Sequence, residues 1–129
     1  MAQPRIDFDA VKTIGLSLPE VEEGTAYRSP ALKLRGKLLA CIPVHRSAEP
    51  DSLAVSIDFD ARSELLDSTP GTYYLTDHYR GHPMVLVRLS HIGQEDLRTL
   101  LETAWQFVNA QSQAQVLGSK TRPSAQRRR

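Results

Sequence analysis

The stretch Tyr27 to Ile57, YRSPALKLRGKLLACIPVHRSAEPDSLAVSI, leaves few options besides an antiparallel sheet. Leu32-Lys33-Leu34-Arg35 alternates apolar and basic side chains, which is the two-residue period of a half-buried strand. Gly36 follows and can adopt the positive φ of a tight hairpin turn. Beyond it, Leu38-Leu39-Ala40-Cys41-Ile42 is apolar on both faces, as in a central strand, and Pro43 suits the strand's end. Leu53, Val55 and Ile57 supply a third strand after the polar loop Ser47 to Ser52.

The flanking segments read as helices and further strands. Asp7 is placed to cap a first helix carrying Phe8, Val11 and Ile14, with Gly15 as its stop. Leu16 to Gly24 reads as an acidic connector, with a short strand near Thr25 to Arg28. Asp60 is the expected cap of a helix from Ala61 to about Ser68, with Leu65 and Leu66 facing inward; Pro70-Gly71 ends it as a turn. Thr72 to Leu75 is a strand, Thr76 to Pro83 a polar loop, and Met84 to Leu89 a buried strand. Gly93 caps the last helix, in which Leu97, Leu100, Leu101, Ala104, Trp105 and Val108 hold the helical period. The order α-β-β-β-α-β-β-α predicts an α+β fold, one antiparallel sheet with helices packed on it. Residues 1–111 form the domain, and residues 112–129 are expected to be a disordered basic tail.

Several functional classes are disfavoured. No apolar run approaches the ~20 residues of a membrane span. The start, MAQPRIDFDA, lacks the apolar centre of a signal peptide. One cysteine permits no internal disulfide, in keeping with a cytoplasmic setting. Neither a phosphate-binding glycine loop, a nucleophile elbow nor a paired-cysteine motif occurs, so no enzyme, cofactor or metal centre is expected. The nearest thing to a metal motif, His78 and His82, has a spacing that matters only on a helix, and Gly81 and Pro83 argue against one. Cys41, mid-strand, reads as a small buried hydrophobe. Glu20, Glu22 and Glu23 read as solvated carboxylates.

The net charge of +1 hides an uneven distribution. Arg28, Lys33, Arg35, Lys37 and Arg46 succeed one another with no acid between them, and Arg127, Arg128 and Arg129 end an acid-free tail. Lys33 and Arg35 are expected on one strand face with Lys37 and Arg46 nearby. These residues and the terminal arginines could contact phosphates by charge alone. No base-reading motif accompanies them, so the expected partner is DNA, bound weakly and without sequence preference. A protein-interaction or chaperone-like module, including a homodimer, is the alternative.

Leu18-Pro19-Glu20-Val21-Glu22-Glu23 precedes Pro30-Ala31-Leu32-Lys33-Leu34-Arg35-Gly36-Lys37. The short helix, the Pro70-Gly71 turn, the penultimate strand and a final helix with Trp105 and Val108 then follow. In that order the segments resemble the MmcQ/YjbR family of small bacterial proteins, over roughly Phe8 to Val108. Met84 stands where that family usually has a tryptophan. The resemblance implies a sheet fold related to secretion-chaperone and frataxin-like folds, and a DNA-binding role. It implies no catalytic or metal residues.

Overall fold

A computed structural model describes the backbone of residues 6–121 and the side chains of residues 6–111. Its first element, α1 (Phe8–Leu16), starts as expected: the Asp7 carboxylate accepts from the Ala10 N–H at 3.0 Å. Gly15 is not its stop. It lies buried inside the helix, where a Cβ would overlap Leu32 Cδ1, so the glycine lets α1 press onto the sheet. The cap residue is Ser17, in an ordinary helical conformation.

The acidic connector is shorter than expected. Val21–Ala26 forms β1, and Tyr27-Arg28 forms the turn rather than strand. β2 (Ser29–Leu34), β3 (Lys37–Cys41) and β4 (Ser52–Ser56) follow, then α2 (Phe59–Ser68). α2 is capped by Asp58, not Asp60: the Asp58 carboxylate accepts from Ala61 N–H at 2.7 Å. β5 (Tyr73–Tyr74) leads to α3 (Asp77–Arg80), one helical turn in the segment expected to be loop. β6 (Met84–Arg88) and α4 (Gln94–Thr121) complete the chain, with Gly93 C=O accepting the first bond of α4 from Leu97. The backbone of α4 continues past Gln111, where the apolar period stops. The expected tail side chains, Arg127, Arg128 and Arg129 among them, lie outside the described residues.

All six strands join one antiparallel sheet in the order β1-β2-β3-β4-β6-β5. β3 and β4 are central, and all five residues of β4 are buried, with Leu53 and Val55 on one face and Ser52, Ala54 and Ser56 on the other. One face carries Leu32, Leu34, Leu39, Leu53, Val55, Val85 and Val87, and packs with α1, α2 and α4 into the main core. A bulge between Leu32 and Lys33 lets both Leu39 and Ala40 join that core. Trp105 of α4 donates its ring N–H to Pro19 C=O at 2.8 Å, tying the helix layer to the start of β1.

The opposite face has little helix over it. Its second, smaller apolar cluster is Ala31, Cys41, Ala54, Leu86 and Tyr79. The register sets small residues side by side across the strands: Gly24 pairs with Ala31, Ala31 with Cys41, Cys41 with Ala54, and Ala54 with Leu86. Among the described residues, α3 and the loop from Ile42 to Asp51 rise beside this row, with Tyr79 and Ala48 in its apolar cluster. A shallow trough remains. Among the described residues no helix is long and apolar enough to cross a membrane.

Candidate functional site

Two tight turns and two anchored segments frame the trough. Arg35 (φ 48°) and Gly36 (φ 85°) both occupy the left-handed region, the conformation of a type I′ hairpin. Tyr27 (φ 55°) and Arg28 (φ 65°) do the same in the β1–β2 turn, although neither is the glycine or asparagine that such a turn favours. Tyr27 is left 78% exposed.

The loop 42–51 is pinned by Arg88. Its guanidinium holds the Glu49 carboxylate with two bonds, 2.9 and 2.8 Å, and lies 4.5 Å over the Tyr74 ring. The Tyr74 hydroxyl in turn accepts from Glu49 N–H at 2.7 Å and bonds the Ser52 hydroxyl at 2.6 Å. α3 is held from beneath by Arg62, a buried residue of α2. One guanidinium nitrogen donates to His82 C=O (2.8 Å) and Met84 C=O (3.2 Å), and another to Arg80 C=O (3.2 Å). Burial lowers the pKa of this guanidinium, with Arg80 adding to the effect.

Between these supports lies a cavity of about 640 Å³, lined by Leu38, Cys41, Val44, His45, His78 and Tyr79, with Tyr27, Arg46, His82 and Met84 also on its wall. Burial pushes the Cys41 thiol up to about 11, so the floor is neutral. The imidazoles of His45 and His78 stack with centroids 3.6 Å apart and planes within 8°. Ser47 N–H donates to His45 Nδ1 at 3.1 Å, and the Ser47 hydroxyl sits 2.7 Å from the same nitrogen. Nδ1 is therefore an acceptor, and the neutral ring carries its proton on Nε2. Desolvation first, then the neighbouring His78 and Arg46, lowers the His45 pKa. The Ser47 hydroxyl also meets Thr76 Oγ1 at 2.8 Å, joining loop 42–51 to the start of α3.

Stacked rings point their nitrogens alongside one another rather than at one point, and the His78 and His82 centroids are 6.4 Å apart. Among the described residues no group of three His, Cys, Asp or Glu side chains is set to hold a metal ion.

The hairpin cations separate. Arg35 turns toward the helix layer, where it donates to Glu20 at 2.8 Å and to the Asn109 side chain of α4. Lys33 faces the other way, because its register partner Leu38 lies in the cavity wall. It has Glu22 opposite on β1, while Lys37 opens β3 beside the Arg35-Gly36 turn. Arg46 is exposed on the cavity wall. Among the described residues, no carboxylate lies within 4 Å of Arg28, Lys33, Lys37 or Arg46. Two of the three glutamates around β1 are engaged elsewhere: Glu20 with Arg35, and Glu23 with Lys12 at 3.2 Å. Sequence reasoning reached the cations and the histidine loop. It missed Tyr27, Val44 and His45, whose meeting depends on the course of loop 42–51, and it missed Arg62, a buried charge on the helix whose Ala61, Leu65 and Leu66 pack on the core.

Known proteins place the chain. The chain is similar to uncharacterised proteins of Mycobacterium tuberculosis and Mycobacterium bovis, each 42% identical over 48 residues; the likeness covers 37% of this chain and 37% of each relative. The crystal structure of Deinococcus radiodurans protein DR2400, a DUF419 domain, superposes with a TM-score of 0.64 at 19% identity, covering 84% of this chain and 82% of that one. That likeness speaks for the fold. The YjbR family model matches residues 16–107, from the end of α1 to the buried turns of α4, and the chain belongs to the YjbR family.

Proposed function

We propose that the domain binds nucleic acid without catalysing a reaction, weakly and through phosphates, on the open side of the sheet. The observation that carries this reading is a set of cations without a carboxylate partner among the described residues: Arg28 and Lys33 at the hairpin strands and Arg46 on the cavity wall, whereas Lys37, opposite Leu34, is on the helix-covered side. Such charges release counterions when they meet a phosphate backbone. Arg35, committed to Glu20 and Asn109, contributes structure instead. Arg127, Arg128 and Arg129 lie outside the described residues, and the reading does not rest on them. Exposed Tyr27 and Val44 at the cavity favour a second reading, a protein-interaction surface that includes self-association.

Fluorescence anisotropy on a mixed-sequence duplex at several salt concentrations separates the two. Phosphate contact gives micromolar or weaker affinity and a linear log–log salt dependence near −0.9 per phosphate neutralised. Absence of duplex and single-strand binding even at low salt overturns it in favour of the interaction surface.

A further inference from the structure

We infer that the cavity on the open face takes one unpaired nucleotide, its base inside and its phosphate at Arg46. The inference rests on the phosphate-binding reading and adds to it a preference for nucleic acid whose bases are free. The cavity's size suits a small ligand, and its walls are the apolar side chains of Leu38, Val44 and Met84 with the flat rings of Tyr27, His45 and His78. A phosphate-only site has no use for such walls. Aromatic walls beside a cation are instead how unpaired bases are held, by stacking on rings while the backbone meets charge.

Three details make the fit chemical rather than merely spatial. The neutral Cys41 floor keeps charge away from an uncharged base. His45, with Nδ1 taken by Ser47, carries its proton on Nε2, so its other ring nitrogen is a donor suited to a base-edge acceptor. Tyr27 is held outward by a strained turn that other residues would form more readily, and strain of this kind gathers at ligand sites. A paired base could enter only after unstacking, so intact duplex is limited to the phosphate contacts. The same chemistry is offered by an unpaired position in a strand and by a free mononucleotide.

The test uses the full chain and labelled oligonucleotides of one length: single strand, duplex, and an abasic strand of equal charge. The single strand should bind at least about five-fold more tightly than the abasic one, the lower end of base-on-aromatic stacking. Tyr27→Ala and Val44→Glu, both at exposed positions, should bring that ratio close to one. A free nucleoside monophosphate that displaces the single strand identifies the lone nucleotide as sufficient; a preference that persists without such competition assigns the site to strands. Equal affinity for single and abasic strands overturns the inference while the phosphate reading stands. A preference unchanged in both variants also overturns it, by placing the base elsewhere. Failure of every oligonucleotide to bind at low salt removes the phosphate reading beneath it.

Discussion

Individual side chains here are tuned by what surrounds them more than by their own type. Cys41 is the plainest case: packed mid-sheet with its thiol pushed up to about 11, it forms almost no thiolate near neutral pH. Alkylation by iodoacetamide at pH 8 should therefore be slow in the native protein and fast in denaturant, and rapid native labelling would contradict the buried, neutral floor. His45 makes a pH-dependent contribution. Its folded pKa lies below the ordinary imidazole value of about 6.5, so the fold prefers the neutral ring. The stability gained is whole above that value and is lost as pH falls below it, because the unfolded chain then takes up the proton more readily. Melting temperatures between pH 7.5 and 5 should fall more steeply for wild type than for His45→Gln. Parallel curves would mean that the ring contributes nothing.

Elements were legible wherever local sequence and packing agreed. The alternation from Leu32 to Leu34, the Asp7 cap and the stripe of α4 formed as read, whereas Arg35 left the strand for the turn, and Leu101 is fully buried in the main core. Leu101→Ala should cost about 2–5 kcal/mol by leaving a cavity, measured by urea denaturation. A change within ~0.5 kcal/mol would remove α4 from the core. β1 was largely missed because Glu22, Glu23 and Gly24 have poor strand propensity. They form strand by pairing with β2 at the sheet edge, where charges also discourage pairing with other chains. α3 was missed because one turn has no period to read, and its stability comes from a distance. Arg62→Met removes the donors to the carbonyls of Arg80, His82 and Met84. It should destabilise by roughly 1–3 kcal/mol, since three part-buried carbonyls lose a charged donor. Backbone amide exchange should quicken at Tyr79 to Met84, and an unchanged melt with unchanged exchange would refute this role.

For the molecule as a whole, the division of labour between the sheet faces is what sequence could not supply. Lys33 and Arg35 are two residues apart in a strand pattern, yet the turn sends Arg35 to Glu20 and Asn109 while Lys33 stays with Leu38 on the open side. Arg35→Glu should therefore lower stability and leave the salt dependence of DNA binding nearly unchanged. Arg46→Glu should do the reverse, flattening the log–log slope by about one. Equal slopes for Arg46→Glu and wild type would detach that residue from the backbone of the nucleic acid.

The row Gly24, Ala31, Cys41, Ala54 behaves as a depth gauge. Neighbouring strands lie about 4.8 Å apart, so each of these positions governs its own short segment of the trough. An added methyl or two at Gly24 would raise the floor locally, and β1 is an edge strand with only Lys33 side-chain carbons in ordinary contact there. Bulkier residues along this row would make the open face shallower on the same scaffold. The relief of that face can change in this way while the helix-covered side, which sets the fold, is untouched.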